Sequence, residues 1–309
     1  MLAATKGFDS AGGYFVPPEF TAELLDAALE DEIVRPRCRV VPMLTDQKKV
    51  ASFAHSDSSS SVLFGAYSGG WAGEATTATD QTPAVRQIEL NAKKLFLYST
   101  ASRELLEDGE SFTSQLRQAM IKSASWFLDD ALLNGDGSNK PKGVLGDVAQ
   151  VTVSKETGQA AATIVYPNLT KMFARLHPAS MKNSVWVASS TTIPQLTQMS
   201  VDVGTGGSHI RAMSEVDGSF NILSRPVIFT EKLASVGTLN DIILVDFTQY
   251  LVGLRQEIVI DSSKHIGFAS DTVAFRCILR VDGQGTWSAP YTPKTGSTQS
   301  WIVKLATRS

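Results

Sequence analysis

An α+β chain is expected, on three observations. Strand-like alternation, with Ile88, Leu90 and Ala92 on one side and Gln87, Glu89, Asn91 and Lys93 on the other, precedes a single long helical stripe from about Ser111 to Leu133. Beyond Gly143 short helices and strands alternate as in a separate lobe. The chain then carries β-rich runs at Pro226 to Thr230, Asp241 to Phe247, Tyr250 to Asp261 and Thr272 to Val281. Its 309 residues, 43% hydrophobic and 19% charged, suffice for one large or two smaller cores.

Met1 to Tyr14 is small, polar and glycine-bearing, the composition of an arm that needs a neighbour. After Pro17 and Pro18, Phe20, Leu24, Ala27, Ala28 and Leu29 recur at helical spacing. Glu19, Glu23 and Asp26 come early, complementing the helix dipole, so a short amphipathic helix is expected. Arg35, Arg37 and Arg39 alternate; on an extended segment they share one face, suited to ion pairs with an adjacent copy.

Residues 52–83 hold a serine tract (Ser58 to Ser61), Gly69-Gly70 and a Thr/Ala stretch up to Pro83, without one Lys or Arg. A structureless loop of that length is unusual in a compact domain. It also carries Phe53, Phe64, Tyr67 and Trp71, side chains that form a costly wet patch unless they dock on something. Strand signals flank it, Val50 to Ala54 before and the alternating run after, so a long two-stranded projection is expected. Phe64, Tyr67 and Trp71 are its candidate contacts with another chain.

The helix that follows places Phe112, Leu116, Met120, Ala124, Phe127 and Ala131 on one stripe and stops at Asn134-Gly135. At ~1.5 Å per residue it is roughly 35 Å long. The second lobe reads as a helix from about Asn168 to Leu176 before Pro178, a strand from Ser184 to Ala188 and a helix around Pro194 to Met199. Glycine-rich breaks follow between Val201 and Gly218.

Several function classes are excluded. A net charge of -3 gives no strong positive field, so gripping nucleic acid is not the main task. Cys38 and Cys277 are far apart and lack metal-ligand spacing, as expected of a chain made in a reducing compartment. No apolar run reaches the roughly 18 residues of a membrane span, and Met1 to Asp9 lacks the form of a signal peptide, so no membrane partner is expected.

No catalytic residue, cofactor or metal site is expected either. GAYSGG at 65–70 is not a Gly-x-Ser-x-Gly elbow, and Lys294-Thr295-Gly296 has no Ser-x-x-Lys to accompany it. His55, His177, His209 and His265 are isolated, and Gly204 to Gly207 is followed by no Walker lysine. Glu104, Glu107, Asp108 and Glu110 sit where carboxylates serve a helix dipole and solvation.

Several segments together resemble the tailed-bacteriophage major capsid proteins of the Hong Kong 97 type, over nearly the whole chain. They are GGYFVPPEF at 12–20, VRPR at 34–37, ASRELLED at 101–108, LLNGDGSNKPKGVL at 132–145, RPVIFTEKL at 225–233 and FASDTVAFRCILRVDG at 268–283. The resemblance implies a Hong Kong 97-like fold with five parts. These are an N-terminal arm and short helix (1–49), an extended β-hairpin loop (50–92), a peripheral domain with a long spine helix (93–159), an α/β axial domain (160–250) and a return to the peripheral domain with a C-terminal tail (251–309).

It further implies a non-enzymatic shell subunit of a virion, assembled in the bacterial host cytoplasm. Its principal partner is itself, in hexamers and pentamers, with each extended loop lying across a neighbour. Portal and scaffolding proteins, a decoration protein and packaged double-stranded DNA held by weak non-specific contact complete the implied partners. A near-neutral chain suits a wall along which entering DNA must not stick.

Two departures from the type member matter. That protein joins its subunits by an isopeptide bond between a loop Lys and a peripheral-domain Asn, whereas residues 52–83 contain no Lys and no Asn follows Asn240. No such cross-link is expected; Lys48, Lys49, Lys93 and Lys94 sit at the loop's base and read as solvated strand residues. The chain also begins almost at the arm, so a scaffolding segment is either already removed or a separate protein. The alternative reading is an encapsulin-like nanocompartment shell; a third, a hydrolase with an unrecognised site, rests only on abundant Ser and Asp.

Overall fold

The computed structural model describes residues 29–53, 62–63, 67–68, 71, 73–74, 80–82, 84–108, 112–203, 208–216, 218–267 and 270–308. The expected arm and nearly all of the first amphipathic helix lie outside these residues, as do Phe64 and Gly204 to Gly207. In chain order the first elements are β1 (Arg39–Pro42), β2 (Gln47–Phe53), β3 (Val62–Leu63), β4 (Tyr67–Ser68), β5 (Val85–Asn91), β6 (Lys93–Ser102), α1 (Arg103–Asp108) and α2 (Phe112–Asn134). The second stretch holds β7 (Val151–Val153), α3 (Tyr166–Ala174), β8 (Val185–Ser189), α4 (Ile193–Gln198), β9 (Ser200–Val203), β10 (Ser208–Arg211), β11 (Met213–Val216), β12 (Ser219–Ile222) and β13 (Arg225–Thr230). The last four strands are β14 (Ile242–Val245), β15 (Tyr250–Gly267), β16 (Thr272–Gly285) and β17 (Ile302–Leu305).

One sheet has the order β1-β15-β16-β6, with β1 parallel to β15 and the other pairs antiparallel. Alternation along β16 buries Val273, Phe275, Cys277, Leu279 and Val281. Leu95, Leu97, Ile258 and Ile260 join them on that face, and α2 covers it with Met120 and Ala124. The buried line of α2 is Met120, Ala124, Leu128 and Leu132, stepping four residues at a time. Phe127, expected on this stripe, stands on its flank and is exposed.

The helix ends where its sequence stops it. Gly143 donates its N–H to the Gly135 carbonyl at 2.8 Å, folding 135–143 back on the helix end. The approach is close enough that a methyl group at Gly143 would lie 2.5 Å from the Gly135 nitrogen and 2.5 Å from the Leu133 oxygen.

A second sheet has seven strands in the order β11-β12-β13-β8-β14-β17-β7. Its central strands β8, β14 and β17 are buried at every residue, which is why VWVAS, IILV and IVKL read as continuous apolar runs instead of alternating ones. Leu169 and Met172 of α3 and Leu196 of α4 pack with Trp186, Leu244 and Val303 in its core. β17 lies in the 251–309 stretch and β7 in the 93–159 stretch, yet both belong to this sheet with the strands of 160–250. The C-terminal segment is pinned there by the fully buried ion pair of Arg308 with Asp241.

β2 and β5 form a separate antiparallel ladder from Gln47↔Asn91 to Phe53↔Val85, and β3 pairs with β4 farther along the excursion. This is the projection expected from the flanking alternation.

Candidate assembly surface

The projection is rooted in the four-stranded sheet. Ile88 and Leu90, on the inward side of β5, are buried, and Leu90 packs close to Gly253 together with Met43. A Cβ at Gly253 would meet the Met43 sulfur at 2.5 Å and Leu90 at 3.1 Å, so the missing side chain is what lets the hairpin root sit down. Polar ties reinforce it. Asp282 of β16 accepts the Asn91 N–H at 2.6 Å and faces the Lys93 ammonium at 3.7 Å. Burial raises the Asp282 carboxyl above its usual range, against the lowering effect of those donors. The Arg86 guanidinium donates to the Thr286 carbonyl.

Lys93 is therefore an ion-paired anchor and not the solvated strand residue the sequence suggested. Lys48 likewise donates to the Pro42 carbonyl at 2.6 Å.

Beyond its root the projection loses support. Phe53 is 55% exposed, Val85 71%, and Trp71 is completely exposed. Leu63 and Tyr67, a cross-strand pair of β3 and β4, are also exposed. Tyr67 and Trp71 thus both sit on open surface; Phe64 lies outside the described residues. Two strands with so little burial are marginal alone and need a further surface.

The arginines behave differently from expectation. Arg35–Arg37 is a turn of 3-10 helix and not an extended segment, because Pro36 fixes φ near the helical value. Arg35, Arg37 and Arg39 therefore do not share one face. Arg35 pairs with Glu32 at 2.7 Å, and the Arg37 guanidinium donates to the Ile33 carbonyl at 2.9 Å. Arg39 opens β1 and is exposed.

Residues 30–34 are held at a buried node. Asp129 of α2 accepts the N–H groups of Ile33 at 2.9 Å and Val34 at 2.8 Å, and the Lys232 ammonium at 3.0 Å. Glu30 accepts from the Thr230 hydroxyl at 2.6 Å and the Glu231 N–H at 2.7 Å. The node joins three distant segments, and no local sequence signal marks it.

A further surface went unread in the sequence. The face of the four-stranded sheet turned away from α2 displays Phe96, 48% exposed, and Tyr98, 51% exposed, their rings stacked at 6.4 Å and 13°. Its signal was present in KKLFLYST, where both alternating sets are partly apolar, as in a strand covered on both faces.

Among the described residues no three His, Cys, Asp or Glu side chains gather as a metal site. No helix there is long and apolar enough to cross a membrane. His177 is half-buried and edge-on to Trp287 and Tyr291, with ring centroids 5.2 and 4.9 Å away, and its Nδ1 accepts the Ala179 N–H at 3.3 Å. What the described residues offer is a rooted projection with Leu63, Tyr67, Trp71 and Val85 exposed, suited to docking.

Comparison with known proteins bears on that docking. A family model described as the phage capsid family matches residues 12–290. The capsid of a native GTA particle has the same fold at a TM-score of 0.78 and 18% identity, covering 99% of this chain and 100% of that one. Structures from Mycobacterium phage Adephagia and Mycobacterium phage Bobi each give a TM-score of 0.67. The first, at 14% identity, covers 97% of both chains; the second, at 15% identity, covers 99% of both. No curated protein sequence matches. The fold is of the Hong Kong 97-like capsid type, in mixed sheets with few helices.

Proposed function

The chain belongs to the phage capsid family, and from that premise we propose that it is the major capsid protein of a tailed phage, closing through hexamers and pentamers into an icosahedral shell around double-stranded DNA. One observation carries the reading: a projection rooted in its own sheet but bearing completely exposed Trp71, with exposed Phe53, Leu63, Tyr67 and Val85. Apolar surface of that kind is stable only against another chain, and a ring of identical copies supplies one to every member. In this reading the projection is the extended loop, α2 the spine helix, the four-stranded sheet the heart of the peripheral domain and the seven-stranded sheet that of the axial domain.

The shell is held without covalent links. The projection offers no lysine between 52 and 83, and Lys48 and Lys93 are engaged at its root. Portal, scaffolding and decoration proteins are the proposed further partners. DNA is contained, touching the wall only weakly, as the net charge of -3 favours.

Negative-stain microscopy of the protein expressed in bacteria, with nuclease protection of the contents, tests the proposal. Closed shells retaining double-stranded DNA when packaging partners are present support it; shells that enclose only protein cargo point instead to a nanocompartment. On a boiled denaturing gel the subunit runs as a single 33.2 kDa band. A ladder of covalent multimers would refute the non-covalent part.

A further inference from the structure

We propose that the open edge of β7, with the basic cavity beside it, receives an extended acidic segment of a second protein, which adds a strand to the seven-stranded sheet. The site belongs to a single subunit and goes beyond the shell reading without resting on it.

Among the described residues β7 is the last strand of its sheet, and it runs parallel to β17 from Val151↔Val303 to Val153↔Leu305. The Val153 carbonyl accepts the Ala306 N–H at 2.8 Å on the β17 side. Backbone groups alternate in direction along a strand, so Thr152 turns both its N–H and its C=O the other way, away from β17. Thr152 is exposed between buried Val151 and Val153. An outward donor and acceptor on one residue is the pair that binds an added strand.

A cavity of about 560 Å³ opens along that edge, within the size range of specific binding sites. Residues 152–155 line it in unbroken succession, which one face of a strand with alternating side chains does not do. The edge itself therefore meets the cavity. A second wall is Lys171 and Ala174 of α3 with Arg175 at its cap. The third comes from the loop at 295–299, held by two backbone hydrogen bonds of 2.8 Å between Tyr291 and Gln299.

The walls are basic. Lys155, Lys171 and Arg175 line them, and among the described residues no Asp or Glu does. Arg175 donates to the Thr298 carbonyl and hydroxyl, which fixes the guanidinium and leaves other donors of its five. Glu156 accepts from the Lys171 ammonium at 2.7 Å, taking one donor of three. Lys171 and Arg175 also complement the dipole at the end of α3, but Lys155 lies beyond β7, on a different wall. A short edge strand with a lysine ordinarily repels added strands. Three cations gathered round a slot repel basic segments and admit an acidic one. A phosphate would engage the cations and the Thr152 N–H yet leave its C=O unmatched; a peptide main chain matches both.

Fluorescence anisotropy with the purified full chain tests the site. The probe is a labelled, end-blocked peptide of alternating Asp and Val, about eight residues long, a little more than a usual strand. The unaltered chain binds it and does not bind the matching Lys-Val peptide. Thr152→Pro removes the outward N–H but no bond to β17, a change that edge strands accept, and lowers affinity about tenfold at an unchanged unfolding midpoint. Thr152→Val keeps the N–H and binds as the unaltered chain does. Lys155→Glu lowers affinity at least about tenfold. Should Thr152→Pro fail to fold, the Asp-Val probe methylated at its backbone nitrogens takes its place, and the unaltered chain binds that probe at least about tenfold more weakly.

Equal binding of the probe by the unaltered chain and by folded Thr152→Pro, or equal binding of the methylated and plain probes, overturns strand addition in favour of capture by charge alone. Inorganic pyrophosphate bound more tightly than the probe, and equally by Thr152→Pro, makes the cavity a small-anion site and overturns the proposal. Binding by free subunits but not by assembled particles assigns the edge to a second copy and overturns the second-protein occupant. Absence of binding by subunits and particles alike overturns the site. None of these results bears on whether shells form, so the shell reading stands or falls by its own test.

Discussion

Asp129 and Lys232, 103 residues apart, form a wholly buried ion pair at 3.0 Å in which the carboxylate also holds two backbone N–H groups of the 30–34 segment. Asp129→Ala leaves Lys232, among the described residues, with the 3.5 Å contact to Glu30 and the Trp126 ring beneath its ammonium, and strips both N–H groups of their acceptor. Removing one partner of such a pair costs about 3 kcal/mol or more. Denaturant unfolding checks this, and Asp129→Asn, which keeps an acceptor oxygen, is the milder variant. An unchanged midpoint for Asp129→Ala would contradict the node.

Replacing Phe64, Tyr67 and Trp71 together by Ser is expected to leave the subunit's own stability within about 0.5 kcal/mol, the effect usual at exposed positions such as Tyr67 and Trp71. Shell formation is blocked or weakened. Circular dichroism on heating and sedimentation velocity separate the two effects; normal particles from this variant would refute docking by the projection.

Gly143→Ala drives a methyl group onto the backbone of Leu133 and Gly135, atoms that cannot swing aside. The strain expected is roughly 1–3 kcal/mol. Gly158→Ala serves as the contrast: nothing lies within 4 Å of the added methyl, though the residue's φ of +77° still carries some cost. The Gly143 variant should lose more, read as paired unfolding midpoints.

Acid weakens the fold through His177. Burial holds its pKa below the ordinary 6.5, so the folded chain binds fewer protons there than the unfolded one. Its stabilising contribution is complete above 6.5 and declines as the pH falls through the lowered value. Asp147 and Asp282, both raised by burial, act in the opposite sense, favouring the protonated fold as the pH falls. The difference between unaltered chain and His177→Gln, followed from pH 8 to 5, isolates the histidine. The advantage of the unaltered chain should shrink as the pH falls; a flat difference would remove His177 as a sensitive group.

Elements set by local periodicity were readable before any fold was known. The helix at 112–134, its stop at Gly135 and the ladder leading into and out of the projection all follow from spacing that each segment carries itself. What hid was set by partners far off in the chain. Asp129 lies within an apolar stripe and gives no hint that Lys232 will meet it. Arg35 to Arg37 alternate on paper, but the proline between them curls the segment. Phe96 and Tyr98 escaped because Leu95 and Leu97 already account for a buried face, leaving the second apolar set looking incidental. The exposure of Tyr67 and Trp71 was legible because an aromatic in a glycine- and serine-rich stretch has no core of its own.

Among the described residues β6 is an edge strand whose sole neighbour in its sheet is β16, and Ser102 waits for Thr272. At about 5–20 residues per second of synthesis, a strand made early stays unmatched for roughly 10–30 seconds. During that interval a ribosome carries LFLY uncovered in a crowded cell, at the high copy number a shell demands. Production in bacteria will therefore be limited by nascent-chain protection: lowering the temperature or raising chaperone supply should increase soluble yield far more than any change to the finished fold.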